Sequence, residues 1–396
     1  MCPEKRRILS VFLYAAVVGL IFIGSPSMAQ PMVETVKGPI DLENAVIKIG
    51  AIYNLAGSQS PLDKPSWRGA QLAAKEINAS GGIDGKQIDL ILCDGRSDSA
   101  KVGQCAQGLI RENVSAMVGL SDTDMLRAAA PVASRAGIAF VTSGATSPVL
   151  AEEYDSLFLA CFGDDVQAAA GAEYAYKNMG LKDCTLLVDG DMEYALLLSG
   201  YFKERYRDLG GEIVMEAFIN GSNMSSLTRS VEDAGPDMIY LAAGPEQAGS
   251  VIQALRSLGI SAPIFGGDSF DSPDLRRAGT GSIVFSTHAL LDDGSSPAGE
   301  FARAYRAEYG CPPENAFAAL GYDAVRLLAR ALVAANSSHP LALQAALGNI
   351  SDFQGVTGRI SYSSGRRVPE KDVTMITLAD GEMAGWEAVR PEQSIR

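Results

Sequence analysis

The stretch Val46-Ile47-Lys48-Ile49-Gly50-Ala51-Ile52-Tyr53 is apolar and β-branched, and it leads into a loop rich in glycine, serine and proline. From Trp67 to Ala79 the apolar residues return at helical spacing. Ser80-Gly81-Gly82 ends this helix, because glycine tolerates the left-handed cap conformation. A strand, a short loop and a helix form the repeating unit of α/β proteins, so residues 46–82 predict the first such unit.

The same alternation continues along the chain. Further strands are expected at 87–93, 116–119, 138–142, 157–160, 185–188, 212–218, 238–242, 263–265, 283–287, 373–378 and 383–389. Helices are expected between them at 99–113, 123–136, 165–179, 194–209, 224–234 and 247–258, and later at 297–309, 316–334 and 341–347. Alternating strands and helices indicate parallel sheets covered on both faces. We therefore predict an α/β protein with two Rossmann-like lobes built on parallel sheets.

The two lobes must exchange segments of chain. The part after His288 is too helical to form a domain alone, so it must pack on an existing lobe. We assign residues 46–163 and 291–370 to lobe I, and residues 164–290 and 371–396 to lobe II. Ligands of open parallel sheets bind beyond the carboxyl ends of the strands, so two facing lobes should share one cleft. Several crossing segments form a hinge suited to closure around a ligand.

The first 29 residues have the pattern of a secretory signal. Lys5-Arg6-Arg7 precede an apolar run from Ile8 to Gly24, and Ser27-Met28-Ala29 places small residues at a cleavage site. We expect cleavage before Gln30 and a periplasmic location. An uncleaved N-terminal anchor is the alternative, because the apolar run approaches the length of a membrane span.

Charge and cysteine content limit the partners and the chemistry. A formal net charge of −14 argues against nucleic acid as a partner. Five cysteines remain after the signal, none at metal-binding spacing: Cys93, Cys105, Cys161, Cys184 and Cys311. An oxidising compartment permits one or two disulfides, with Cys93 and Cys105 closest in sequence. Free buried thiols are the alternative.

The sequence does not predict an enzyme, a cofactor or a metal site. It contains no Walker loop, no His-Glu-x-x-His and no Gly-x-Ser-x-Gly motif. The two histidines, His288 and His339, are too few and too distant to form a metal site. We expect His339 to lie on the surface. His288 is expected to be a partly exposed structural residue near the hinge.

Several motifs occur in the order of a known family. They are Ile47-Lys48-Ile49-Gly50-Ala51, Glu76-Ile77-Asn78-Ala79-Ser80-Gly81-Gly82-Ile83-Asp84-Gly85, Thr142-Ser143-Gly144-Ala145-Thr146-Ser147-Pro148, Ala234-Gly235-Pro236-Asp237, Gly266-Gly267-Asp268, Ala318-Ala319-Leu320-Gly321-Tyr322-Asp323-Ala324 and Gly355-Val356-Thr357-Gly358. Over residues 46–389 the chain resembles the periplasmic leucine/isoleucine/valine-binding proteins, the type I solute-binding components of ABC importers. The resemblance implies a monomer that captures a branched-chain or related amino acid and delivers it to an ABC permease. A ligand sensor of the same fold, binding an amide or another small polar solute, is the alternative.

Two threonines are candidates for the carboxylate end of such a ligand. Thr123 and Thr146 lie between a strand and a helix, where backbone amides and the helix dipole favour an anion. The residues alone leave N-capping and ligand contact as equal alternatives. The resemblance implies that both contact the carboxylate and amine of the ligand. It also implies that Ser121 and Gly144 contribute backbone atoms.

Asp268 is the candidate partner of the ligand's ammonium group. It follows a strand of lobe II and two glycines, which let the backbone approach closely. A loop aspartate that bonds its own backbone is the alternative. The resemblance assigns Tyr194 and Phe317 to the pocket wall, and places Leu62 where some relatives have a tyrosine. We assign Trp67 to the core.

The sequence departs from the family pattern near the expected pocket. Ala243-Gly244-Pro245 replaces a loop in which branched-chain amino acid binders carry a tyrosine. The loss of this aromatic side chain is expected to enlarge the pocket. Four aspartates add negative charge near its mouth: Asp122, Asp124, Asp164 and Asp165. The side chain of the ligand is therefore left open by the sequence.

Overall fold

The computed structural model describes residues 46–219, 224–278, 280–291, 294–362 and 365–392. The predicted signal segment, residues 1–29, lies outside these ranges. Within them, no helix has the length and apolarity needed to cross a membrane.

Strands and helices alternate along most of the chain. The strands are β1 (Val46–Tyr53), β2 (Gln87–Asp94), β3 (Ala116–Gly119), β4 (Phe140–Thr142), β5 (Leu157–Leu159), β6 (Asp183–Asp189), β7 (Glu212–Ile219), β8 (Met238–Ala242), β9 (Ile264–Gly266), β10 (Ser282–Thr287), β11 (Phe353–Gly355), β12 (Gly358–Ile360), β13 (Val373–Ala379) and β14 (Glu382–Val389). The helices are α1 (Ser60–Ala79), α2 (Ser99–Arg111), α3 (Thr123–Arg135), α4 (Pro148–Glu153), α5 (Asp164–Glu173), α6 (Glu193–Asp208), α7 (Met224–Ala234), α8 (Pro245–Ser257), α9 (Pro273–Ala278), α10 (Pro297–Tyr309), α11 (Phe317–Ala335) and α12 (Pro340–Gly348).

The first sheet has the strand order β2-β1-β3-β4-β5, with all strands parallel. Helices α1, α10, α11 and α12 share one core with it. Helix α11 packs closely on α1, since a Cβ on Gly69 would lie 1.8 Å from the carbonyl oxygen of Ala318. We call this sheet with its helices the first lobe. Its strand order reverses between β1 and β3, which is where ligands bind in such sheets.

The second sheet has the order β14-β13-β10-β9-β8-β6-β7. Strands β6 to β10 repeat the parallel order of the first sheet, and we call this sheet with its helices the second lobe. Strands β13 and β14 run antiparallel to their neighbours, so the second sheet is mixed. They are joined by a turn at Asp380-Gly381. Both residues have positive φ, which a tight hairpin turn requires.

The chain passes between the sheets three times, after β5, after β10 and after β12. The first and third passages contact each other. The hydroxyl of Tyr362 donates to the carbonyl oxygen of Leu159 at 2.6 Å. The buried ammonium of Lys371 donates to the carbonyl oxygen of Ala160 at 2.7 Å. These bonds fix the base of the cleft between the lobes.

The predicted element boundaries shift by a few residues in most places, but helix α1 is a larger difference. It begins at Ser60, seven residues before the predicted start at Trp67. Pro61 lies in its first turn, where the missing N–H of proline costs nothing, so the proline starts the helix and does not belong to a loop. Trp67 packs against the core and lies 5.5 Å from the Tyr53 ring, which confirms its assignment.

The cysteines occur both in a disulfide and as free buried thiols, the two alternatives that the sequence left open. Cys93 on β2 and Cys105 on α2 form a disulfide. Cys161 and Cys184 are free and buried. The disulfide therefore joins a strand of the first sheet to the helix that follows it.

Candidate functional site: the cleft between the lobes

Side chains from both lobes line a small inner chamber at the carboxyl ends of the two sheets. The first lobe supplies Gln59, Leu62, Ser121, Asp122 and Phe317, and the second supplies Met192, Tyr194, Pro245, Asp268 and Ser269. Its volume is about 10 Å³, enough for one water molecule. Five of the eight predicted site residues, namely Leu62, Ser121, Tyr194, Asp268 and Phe317, therefore lie together here.

Gly144 lies directly behind this chamber. A Cβ at this position would come within 2.7 Å of the Phe317 ring and 3.0 Å of the Ser121 Cβ atom. Glycine therefore lets the aromatic ring approach the β4–α4 loop. Ser121 is 7 % exposed, and its hydroxyl has no hydrogen-bond partner among the described residues.

The two predicted threonines are buried but do not line the inner chamber. The hydroxyl of Thr146 donates to Asp164 Oδ1 at 2.7 Å, across the boundary between the lobes. The hydroxyl of Thr123 has no partner among the described residues. Neither threonine caps its helix, because Asp122 caps α3 and Ser147 caps α4. The capping alternative is thus wrong, and ligand contact by these residues stays a prediction.

The carboxylate of Asp268 accepts hydrogen bonds from three side chains of the second lobe. Its Oδ1 accepts from the Tyr194 hydroxyl at 2.9 Å and from Gln167 Nε2 at 3.0 Å. Its Oδ2 lies 2.9 Å from His288 Nε2. The Gln167 side chain also accepts from the Asp268 backbone N–H at 3.0 Å. Other side chains therefore fix this carboxylate, and it does not bond its own backbone.

His288 differs from its expected environment. It is 4 % exposed, stacks on Phe162 at 4.0 Å and meets the edge of Phe317 at 5.7 Å. The expectation of a partly exposed histidine is therefore wrong, because the chain after β10 passes into the cleft and not over the surface. Burial lowers the pKa of His288, and the neutral ring donates from Nε2. It brings no positive charge to the Asp268 carboxylate.

Buried carboxyl groups continue from the inner chamber into the first lobe. Burial raises the pKa of Asp63 to about 6, although the backbone and side-chain amides of Asn54 both donate to it at 2.8 Å. Burial and then the charge of Asp124 raise the pKa of Asp122 to about 7. Burial and then the charge of Asp268 raise the pKa of Asp164 well above its ordinary value. These buried carboxyl groups are therefore harder to ionise than exposed ones.

A larger outer chamber of about 510 Å³ lies beside the inner one. Gln59, Asp122, Met192 and Pro245 line both chambers, so the two are adjacent. Gly244 lines the outer chamber. Ala243 is buried in the core of the second lobe. A volume of this size lies within the range of small-molecule sites.

The lobes also contact each other across the mouth of the cleft. Arg127 on α3 forms an ion pair with Glu193 on α6. The carboxylate of Asp124 accepts from the backbone N–H groups of Glu193 at 3.0 Å and of Tyr194 at 3.4 Å. These contacts join the lobes in a closed arrangement.

Six residues of the site were not among those predicted from the sequence to bind the ligand: Gln59, Gln167, Met192, Pro245, Ser269 and His288. Four of them follow the carboxyl end of a strand, with Gln59 after β1, Met192 after β6, Pro245 after β8 and Ser269 after β9. Strand ends at a switch point are the general position of ligand sites in such sheets. Applied to each strand end, that rule selects these four. Among the described residues, no group of His, Cys, Asp or Glu could hold a metal ion.

Comparison with known proteins accounts for this two-lobed architecture. The sequence pattern of a protein family described as periplasmic binding protein matches residues 46–382 of this chain. The chain belongs to the periplasmic binding protein family.

Similar members of this family are known from several bacteria. The chain is 27% identical over 324 residues to Leu/Ile/Val-binding protein homolog 1 of Brucella abortus, which covers 80% of this chain and 86% of that protein. It is 28% identical over 354 residues to Leu/Ile/Val-binding protein BraC3 of Rhizobium johnstonii, covering 87% and 95%.

A solved structure shows the same fold. The branched-chain amino acid transporter substrate binding protein LivJ of Streptococcus pneumoniae, in complex with isoleucine, is 30% identical to this binding protein. The match has a TM-score of 0.81 and covers 87% of this chain and 100% of that one. The type I periplasmic binding fold predicted from the sequence is therefore confirmed.

Proposed function

We propose that this binding protein captures a branched-chain or related α-amino acid between its lobes and releases it to an ABC permease. Hinge closure around the ligand accompanies capture. The protein acts as a monomer in the periplasm, after export by its N-terminal segment, and performs no chemistry on the ligand.

The inner chamber carries this proposal. An amino acid presents an ammonium group that needs an anion and a carboxylate that needs donors. Asp268 supplies a buried carboxylate whose position is fixed by three side chains. Ser121 supplies a buried hydroxyl without a partner among the described residues, beside the start of α3. The N-terminus of a helix adds partial positive charge for a carboxylate.

The relatives support the amino-acid class of ligand. Two of them are named Leu/Ile/Val-binding proteins, and LivJ was solved in complex with isoleucine. A sensor of the same fold would need a signalling region, and we infer transport because the Leu/Ile/Val-binding relatives align over 324 and 354 residues.

The test is a thermal-shift screen of amino acids, amides and small carboxylates, followed by calorimetry on the substitution Asp268→Asn. Removing one partner of a buried charge pair costs on the order of 3 kcal/mol, so we expect affinity for the best amino acid to fall about a hundredfold. Asparagine keeps the shape and an acceptor for Tyr194 and Gln167. The loss of affinity therefore measures the contribution of the negative charge of Asp268.

Asp323→Asn is the matched control. Asp323 is a fully buried carboxylate of the first lobe that accepts from the backbone of Val356 and Thr357, away from both chambers. It should lower the melting temperature and leave affinity unchanged. The proposal is rejected if another class of solute stabilises the protein and no amino acid does, or if Asp268→Asn binds as the wild type does.

A further inference from the structure

The outer chamber has an unbalanced charge. Five acidic residues line it: Asp122, Asp124, Asp189, Asp191 and Glu246. Among the described residues, no lysine, arginine or histidine lines it. None of the five forms an ion pair with a described residue, whereas elsewhere acids of this chain are paired repeatedly, as Glu173 is with Arg205.

Two of the residues that line this chamber carry buried amide oxygens without partners among the described residues. Gln59 is 7 % exposed and lines both chambers, and its Oε1 accepts no hydrogen bond from a described residue. The Oε1 atom of Gln247 on the opposite lobe is buried and equally unpartnered. A buried acceptor left without a donor costs roughly 1–3 kcal/mol. The site therefore favours a molecule rich in N–H donors.

The remaining wall is apolar and flexible. Met125, Met192, Met224 and Ile219 line the same space. Unbranched methionine side chains adapt to alkyl chains of different shape. Gly244 contributes no side chain to this wall. The chamber thus combines this apolar wall with the five acidic residues, which we call the acidic rim.

We propose that the outer chamber binds the positively charged end of the ligand's side chain, so that the preferred ligand is an α-amino acid whose alkyl side chain ends in an ammonium or guanidinium group. This inference rests on the proposed capture of an amino acid, whose α-amino and α-carboxyl groups bind to Asp268 and Ser121 at the inner end of the cleft. The methionines contact the alkyl part. The amide oxygens of Gln59 and Gln247 accept from the terminal N–H groups, and the acidic rim balances their charge.

The charge state of Asp122 agrees with this assignment. Its pKa of about 7 reflects burial first and then repulsion from Asp124. Asp122 Oδ1 accepts from the backbone N–H of Met125 at 3.0 Å. A ligand cation beside Asp122 would relieve this repulsion.

The experiment compares side chains of similar length and different charge on the intact protein. Calorimetry measures the binding of lysine, ornithine, norleucine and glutamate at low and high salt. We expect lysine to bind at least about tenfold more tightly than norleucine, a difference of about 1.4 kcal/mol. Added salt should weaken lysine binding more than norleucine binding, since it screens the exposed rim.

The double variant Asp189→Asn with Glu246→Gln tests whether the acidic rim causes the preference for lysine over norleucine. On this variant, lysine and norleucine should bind with equal affinity. The variant Glu112→Gln with Glu382→Gln is its control, since it removes two exposed charges outside the chamber and gives the same net charge. We expect this control to keep the preference for lysine.

The outcomes separate this inference from the proposed function. If norleucine or leucine binds and lysine binds no more tightly, the inference is overturned and amino-acid capture stands. If lysine is preferred but the double variant keeps the preference, the cation binds elsewhere and the inference is again overturned. If no amino acid binds, the proposed function fails and the inference fails with it. The comparison of lysine with norleucine needs no variant, so a folding defect in a variant leaves the test valid.

Discussion

Gly144 sets the distance between the Phe317 ring and the β4–α4 loop. Because a Cβ there would lie 2.7 Å from the ring and 3.0 Å from the Ser121 Cβ, Gly144→Ala must displace the ring or the serine. Overpacking of this kind costs about 1–3 kcal/mol of stability. Both neighbours line the inner chamber, so we expect ligand affinity to fall as well, as measured by calorimetry and thermal unfolding.

Gly200→Ala is the matched control for this substitution. Gly200 lies within α6, and a Cβ there meets nothing within 4 Å. Alanine should stabilise the helix by about 0.5–1 kcal/mol and leave affinity unchanged. If Gly144→Ala bound the ligand as tightly as the wild type, Phe317 would not belong to the pocket wall.

For individual residues, the sequence predicted which side chains lie at the cleft better than it predicted which of them contact each other. Asp268 follows a strand and two glycines, so its place at the cleft could be predicted. Its three partners could not, because Gln167 and His288 reach it from positions about 100 and 20 residues away in the chain. Such contacts depend on how α5 and β10 pack, which local spacing does not encode.

Helix α6 has an N-terminus completed from the other lobe. Its N-cap residue, Met192, makes no side-chain cap, and the carboxylate of Asp124 accepts from the N–H groups of Glu193 and Tyr194 instead. This contact exists only when the lobes are closed. We expect Asp124→Ala to lose about 1 kcal/mol, or about fivefold, in affinity for an amino acid with an uncharged side chain. Calorimetry measures the affinity, and small-angle scattering measures the closed fraction.

Asp98→Ala is the control that distinguishes a role in lobe closure from the general effect of losing a helix cap. Asp98 caps α2 through the N–H of Lys101, entirely within the first lobe. Its loss should lower the free energy of unfolding and leave the ligand affinity unchanged. Equal effects of the two substitutions on affinity would contradict a role for Asp124 in closure.

Most helices and strands were predicted with small errors because their apolar periodicity is long and regular. The short elements α4, α9, β11 and β12 were missed, since their three to six residues form neither a readable period nor the continuous apolar run that marks the equally short β4 and β5. The direction of β13 and β14 could not be read either. Apolar periodicity marks a strand as buried but does not say which neighbour it pairs with. The mixed character of the second sheet is therefore a tertiary property.

The whole molecule has separate cores in its two lobes. The clusters around β1 and β3 consist of residues of the first sheet and the helices that cover it. The clusters around β6 and β8 belong to the second. The apolar cores are thus formed lobe by lobe, and polar contacts at the passages and the cleft join the lobes. A ligand held by side chains from both lobes should therefore couple their stabilities.

Hydrogen exchange measured by mass spectrometry can test this coupling. Strands β3 and β8 are completely buried, one in each lobe, and their amides exchange only when that lobe opens. A ligand at a hundred times its dissociation constant adds about 2.7 kcal/mol to a state that needs both lobes folded. We expect saturating ligand to slow exchange in β3 and β8 together.

Asp268→Asn, on the second lobe, should reduce the protection of β3 at the same ligand concentration, because the loss of one contact weakens the shared site. Protection that rose in only one of the two strands would mean that one lobe holds the ligand alone, and the cleft would not be the binding site.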